Sequence, residues 1–308
     1  MKQSVLGKDG PKVGVVGDGA MSFSDFYVAA TDEGSMAILD ETVIGEWLKK
    51  RGGECPFVIA TKGGITGEAE RRFNNDPSYL EAELDGSLSR MGIDAVDLYY
   101  VHRREAAFEI EEVAETLSGF VKAGKVKAIG FSEIAPSSLR RAHAVHPVAA
   151  VQSEYSLQTR SPEMGLVQTC AELGVAMVAF SPVGRGMLTD RPHDLSEVQS
   201  MGFLKGNPRF MEPNLSANLA LTAGFRDLAK DVGVSAAALS IAWLVQQGEH
   251  ILPIPGTRHI EHLRQVAAGG SITLSAEDIA RIEAVLPIGW AHGDRYSARQ
   301  WEGPERYC

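Results

Sequence analysis

The stretch 95–103, AVDLYYVHR, is an apolar run rich in β-branched and aromatic residues that ends abruptly in histidine and arginine. It reads as a buried strand with a polar tip. The same design recurs along the chain: FVIATKGG (57–64) ends in Lys62, VKAIGFSE (126–133) in Ser132 and Glu133, VAAVQSEY (148–155) in Gln152, and VAMVAFSPVG (175–184) in Ser181. Helical stretches separate these strands, among them YLEAELDGSLSRMG (79–92), stopped by Gly92, and APSSLRRAHAV (135–145), with Pro136 near its start. Continuous apolar strands alternating with helices imply a parallel sheet covered on its faces. Polar residues at the carboxyl ends of successive strands would converge on one mouth in a closed barrel, whereas an open sheet would spread them along an edge. The pattern therefore favours a (β/α) barrel.

Strands centred near Val15, Ile59, Leu98, Ile129, Val151, Val178 and Leu252 number seven, where a (β/α)8 barrel needs eight. No linker or shift of composition divides the chain, so residues 1–308 read as a single domain.

The composition is ordinary for a globular protein, with 44% hydrophobic and 23% charged residues. A net charge of −10 argues against a nucleic-acid partner, which calls for a basic face. No apolar run approaches the length of a membrane span, and the start MKQSVLGKDG lacks a signal core. Three widely spaced cysteines, Cys55, Cys170 and Cys308, form no disulfide framework, so a cytoplasmic location is expected.

Each candidate residue admits a plainer role. Gly17, Asp18 and Gly19 follow the first strand, but Ser22 stands where a dinucleotide fingerprint needs its third glycine, so a tight turn is favoured. Lys62 is either a snorkelling edge residue or a charge that lowers the pKa of a nearby phenol. His102 is either a satisfied core histidine or a neutral imidazole facing a substrate oxygen. Metal-ligand spacing is absent. SPVGRGML (181–188), after Phe180, is an ordinary loop or a glycine-rich fold over a pyrophosphate. Gly256, Thr257 and Arg258 precede a helix and form either a simple cap or a phosphate site.

Taken together, ATKGG, SLSRMGIDAVDLYYVHRRE, GKVKAIGFSE, VQSEYSLQTR, VAFSPVGRGMLT and PIPGTR resemble the aldo-keto reductase family, in its order and spacing over nearly the whole chain. The resemblance implies an α/β fold of the TIM-barrel type, (β/α)8, with an N-terminal hairpin plug at SVLGKDGPKVG (4–14). It implies NADP(H) lying across the barrel mouth and hydride transfer to a small-molecule aldehyde or ketone, or from the alcohol. Lys62 and His102 match two of the family's four catalytic residues. Gly19, Ala20 and Met21 match the turn beneath the nicotinamide ribose, and Ser132, Glu133 and Gln152 the carboxamide contacts, with Glu133 in place of a frequent Asn. Phe180 stands for a usual stacking Tyr. Ser181, Pro182, Gly184, Arg185, Gly186 and Leu188 match the pyrophosphate loop. Gly256, Thr257 and Arg258 match the 2′-phosphate site. Beyond them, His262 replaces a common Arg, Gln265 a usual Glu and Val266 a usual Asn.

The family's catalytic Asp and Tyr belong to a segment like LDTADxYG, between the first and second barrel helices. Here Asp40 is followed directly by Glu41, within SMAILDETVIGEWLKK (35–50). The stretch reads as parts of two helices brought together by the absence of about 20 residues, which would also account for the eighth strand; a true deletion is disfavoured, because removing one strand from a closed barrel exposes two edges. Two functions remain open: a carbonyl reductase, or a catalytically impaired NADP(H)-binding protein that senses redox state. Tyr27 is a candidate substitute donor. Trp290, Tyr296 and Trp301 either wall a substrate pocket or pack the C-terminal tail.

Overall fold

The computed structural model describes residues 2–19, 36–53, 55–66, 72–257 and 259–306, with the backbone alone for 36–40. Two short strands open the chain, β1 (Gln3–Val5) and β2 (Lys12–Gly14), paired antiparallel as the expected hairpin. Six strands then form one wholly parallel sheet in sequence order: β3 (Ala60–Gly63), β4 (Leu98–Val101), β5 (Ile129–Ser132), β6 (Val148–Glu154), β7 (Ala176–Phe180) and β8 (Ile251–Ile254).

Of the seven strands expected, the first is not a regular strand. Residues 15–19 instead run beside β8, where the Gly17 and Gly19 amides donate to the carbonyls of Pro253 and Pro255 at 3.0 and 3.1 Å. Close approach explains the departure: a Cβ on Gly19 would lie 2.8 Å from the Ile254 carbonyl oxygen. The order is thus that of a barrel with one stave fewer. Among the described residues nothing pairs with the outer edge of β3. That edge is more open than the middle of the sheet, since Ala60 is exposed while all of β4 and β5 is buried.

The strands divide their side chains between two faces with period two. Tyr99, Val101, Phe131, Val151, Met177 and Ala179 join the large core beneath the helices. Leu98, Tyr100, Ala150, Ala176, Val178 and Leu252 join a smaller core on the other face, plugged by Leu6 from just beyond β1.

The helices follow their local signals. In α2 (Pro77–Met91), Asp76 caps the start through the Ser78 amide, and Gly92, at φ 66°, ends the helix in the left-handed region. In α3 (Ile110–Lys122), Ile110, Val113, Ala114 and Leu117 repeat at helical spacing and are buried. Each of the larger ones contributes about 1.5–3 kcal/mol by burial. Further helices are α4 (Pro136–Val145), α5 (Leu166–Leu173), α6 (Leu195–Ser200), α7 (Asn214–Val232), α8 (Ala236–Val245), α9 (Ile260–Gly269) and α10 (Ala276–Val285). The loop expected over 185–213 carries α6 and three short 3-10 turns. The chain pattern did not reveal α10, which starts on a capping box of Ser275 and Asp278. Among the described residues no single helix is long and apolar enough to cross a membrane.

The junction of Asp40 and Glu41 lies inside one uninterrupted helix, α1 (Met36–Lys50). The expectation of two helix fragments is corrected to this extent: neither flank carries a proline or a glycine stop, so nothing interrupts the backbone hydrogen bonding across the join. The second half of α1 is anchored. Buried Glu41 accepts from Thr61 Oγ1 at 2.5 Å and from Arg90 Nε at 2.6 Å, linking α1 to β3 and α2. Gly45 lets the helices touch, since a methyl group there would overlap the Arg90 carbonyl oxygen. Gly45→Ala is therefore expected to lower stability by about 1–3 kcal/mol through overpacking, despite alanine's better helix propensity. Urea denaturation checks this, and an unchanged or raised stability would contradict the α1–α2 contact.

Candidate active site

Four of the residues singled out in the sequence share the inner face at the carboxyl ends of the strands. Lys62 is the register partner of Tyr100, and Ser132 that of Gln152. His102 follows β4 by one residue, in step with inward-facing Leu98 and Tyr100. Its backbone amide donates to the Gly63 carbonyl at 2.9 Å, which joins the tips of β3 and β4. The imidazole is held well below its ordinary pKa of 6.5, first by burial and then by the charges of Arg103 and Lys62. It is a neutral ring beside a cation.

Tyr100 lies beneath this mouth. Its ring covers Gly130, where a Cβ would come within 2.6 Å of the ring, and its hydroxyl is hydrogen-bonded to the Gln152 side chain. Burial raises the phenol's pKa. The Ser132 hydroxyl accepts from Arg103 at 3.1 Å, and the same guanidinium donates to the His102 carbonyl at 2.7 Å. At the tips of β7 and β8, Phe180 and Ile254 are register partners, both half-buried on the inner face.

Glu133 and Arg185 behave differently from the neighbours they were grouped with. The Glu133 carboxylate is buried against Arg295, at 2.5 and 3.1 Å, and also accepts from the Glu154 amide at 2.9 Å. Burial alone would raise its pKa, but the charge and hydrogen bonds of Arg295 outweigh it and hold the carboxyl below its ordinary value. Arg185 donates to buried Glu154 at 2.5 Å and to the Arg295 carbonyl at 3.2 Å. A carboxamide contact from Glu133 and a pyrophosphate contact from the Arg185 guanidinium would both have to displace these bonds.

The backbone of the Arg185 loop is unusual. Ser181, Gly184, Arg185 and Gly186 all have positive φ, from 51° to 93°. Within it the Gly184 and Gly186 amides are turned onto the carbonyls of Ser181 and Val183. Pro182 and Leu188 are buried, and the Pro182 carbonyl accepts from Ser240 at 2.8 Å.

At the other rim, Gly256 is exposed, and Thr257 Oγ1 accepts from the His259 amide at 3.1 Å, a cap at the approach to α9. His262 is exposed with its ring 5.1 Å from that of His259, and Gln265 is half-buried. Val266 is core, packed with Ala237 and Ile241. Ala20, Met21, Tyr27 and Arg258 lie outside the described residues.

The three tail aromatics pack. Trp290 donates to the Leu157 carbonyl at 2.8 Å, Trp301 donates to Asp294 at 2.7 Å, and Tyr296 is buried edge-on to Trp301 between Arg185 and Arg295. Sequence reasoning missed Glu154, Arg209 and Arg295. Glu154 had a signal, as an acid in step with Gln152 on an otherwise apolar strand; Arg295, in an irregular tail, had none. Among the described residues no cluster of His, Cys, Asp and Glu could hold a metal ion.

The mouth brings together paired hydroxyl and amide side chains, a half-buried ring, and glycines where the backbone comes close. Residues 25–287 match the model of the aldo/keto reductase family. An NADP(+) aldo-keto reductase of Schizosaccharomyces pombe is 34% identical over 92% of this chain and 92% of its own length. A probable aldo-keto reductase of Glycine max is 39% identical over 83% of this chain and 74% of its own. In three dimensions the chain is similar to a glycerol dehydrogenase from Gluconobacter oxydans, with a TM-score of 0.76, 22% identity, and coverage of 92% and 94% of the two chains. The alignment with the S. pombe protein spans 313 positions, of which 92% of 308 residues fill all but about 30. By family match and by identity over most of its length, this chain belongs to the aldo/keto reductase family of oxidoreductases.

Proposed function

We propose that the chain binds NADP(H) across the strand tips and interconverts small aldehydes or ketones with their alcohols, in the cytoplasm. The observation that carries this reading is the convergence of Lys62, neutral His102, Ser132 and Gln152 on one face at adjacent strand ends. The cofactor named for the S. pombe relative supports the choice of NADP(H). When bound, the nicotinamide supplies or accepts the hydride. Ser132 and Gln152 would hold its carboxamide, and Phe180 would lie against its ring. Gly19, with Ala20 and Met21, would pass beneath the ribose. The backbone of Ser181, Gly184 and Gly186, between Pro182 and Leu188, would follow the diphosphate. Gly256, Thr257, Arg258, His262 and Gln265 would line the adenosine end.

His102, neutral at pH 7, can donate one hydrogen bond to a carbonyl oxygen. Lys62 places positive charge near the same oxygen as negative charge develops on it. The tyrosine that gives the proton in the family belongs to the segment absent between Asp40 and Glu41; in this sequence the proton comes instead from solvent or from Tyr27. Loss of a positioned general acid slows such a step by about 10²–10⁴-fold. Binding is therefore expected to survive better than turnover. A second reading, a cofactor-binding protein without turnover, is favoured by the unbroken helix α1 at the place where the donor segment belongs.

Titration of NADPH fluorescence, together with NADPH consumption at 340 nm over a panel of aldehydes, separates the two. Binding with slow turnover supports the reductase, binding with none supports the second reading, and absence of binding defeats both. Placing the relative's Asp- and Tyr-bearing segment between Asp40 and Glu41 should raise turnover about 10²–10⁴-fold with little change in NADPH affinity.

His102 also makes a prediction about pH. Its folded pKa is depressed, so below about pH 6.5 the unfolded chain takes up a proton that the folded chain refuses. Stability is then lost as pH falls below that value. His143, His146, His193 and His250 are shifted in the same direction. The loss in melting temperature between pH 7.5 and 5.5 should accordingly be smaller, but not absent, in His102→Asn.

A further inference from the structure

Among the described residues, three non-glycine residues have a left-handed backbone, Glu133, Ser181 and Arg185, and all three lie at the strand tips around the mouth. Such residues are strained and persist only where their surroundings hold them. Two of them are held by one residue of the C-terminal tail. The Arg295 guanidinium grips the Glu133 carboxylate through two hydrogen bonds, at 2.5 and 3.1 Å. The Arg295 carbonyl accepts from Arg185 at 3.2 Å and from Asn207 at 2.6 Å. Glu154 closes the circuit, 2.5 Å from Arg185 and 3.9 Å from Arg295.

We propose that Arg295 is a positioning residue for the cofactor. Through its side chain it sets the turn at Ser132 and Glu133, and through its carbonyl the turn Gly184–Gly186, so that both strand-tip turns adopt the form in which they receive NADP(H). This rests on the cofactor reading above. The tail joins the site without touching the substrate, by binding β5 to the loop after β7.

Hydrogen exchange on the unliganded wild-type protein and on Arg295→Met tests the coupling with no cofactor present. Titration with NADPH tests its consequence. The expected result is faster exchange at the Ser132–Glu133 turn, which loses the guanidinium, a smaller change at Gly184–Gly186, whose main-chain carbonyl partner remains, unchanged exchange in β5 and β7 beneath them, and an NADPH Kd raised at least about tenfold, the scale of one lost charged hydrogen bond. Arg141→Met, which breaks the exposed ion pairs with Glu109 and Glu111, is the control for general destabilisation and should alter neither reading. Wild-type exchange at the Ser132–Glu133 turn in Arg295→Met, or an unchanged Kd, overturns the proposal. If Arg295→Met does not fold, Arg295→Lys keeps the charge but loses the two-pronged grip, and should show the same changes in smaller degree. Failure of the wild-type protein to bind NADPH would defeat the proposed function, while the exchange comparison would still decide the role of Arg295.

Discussion

Three guanidinium groups, of Arg185, Arg209 and Arg295, face two carboxylates, of Glu133 and Glu154, with almost no exposure to water. The arrangement of the strand tips depends on this cluster. Charges out of water are tolerated only when geometry and hydrogen bonding compensate their desolvation, so each member must stay where its partners are. Burial, with Arg185 and Arg295 nearby, pushes the pKa of Arg209 down to about 10 against the pull of Glu154.

The opposite side of the mouth is less complete. One wall, from β4 to β8, is buried and braced by helices. The other ends at β3, whose outer edge has no strand partner among the described residues. What remains there is α1, tied to β3 and α2 by Glu41. The strand tips that converge on the mouth come mostly from one end of the sheet, and the unpaired edge of β3 lies at the other.

Much of this was legible in the chain. Strand tips such as YYVHR, IGFS and VQSE could be read because a strand alternates faces with period two, so a polar residue in step with buried ones must point inward. The glycine stop at Gly92 and the proline start at Pro136 were local signals. Lys62, His102, Ser132 and Gln152 were found in this way. The fate of Glu133 and Arg185 was not, because their partners are distant: Arg295 lies 162 residues beyond Glu133, and Glu154 31 residues before Arg185. A break in pattern was readable at Asp40 and Glu41. That one helix runs through it was not, since helix formation depends on local residues and not on the pattern either half resembles.

The sequence by itself determined the family, the alternation of strand and helix, and which residues stand at the strand tips, because these depend on local spacing and composition. Tertiary structure alone decided which of those tips remain available to a ligand and which are committed to the protein. That choice depends on whether a buried charge finds its partner, and the partner came from a tail with no pattern of its own.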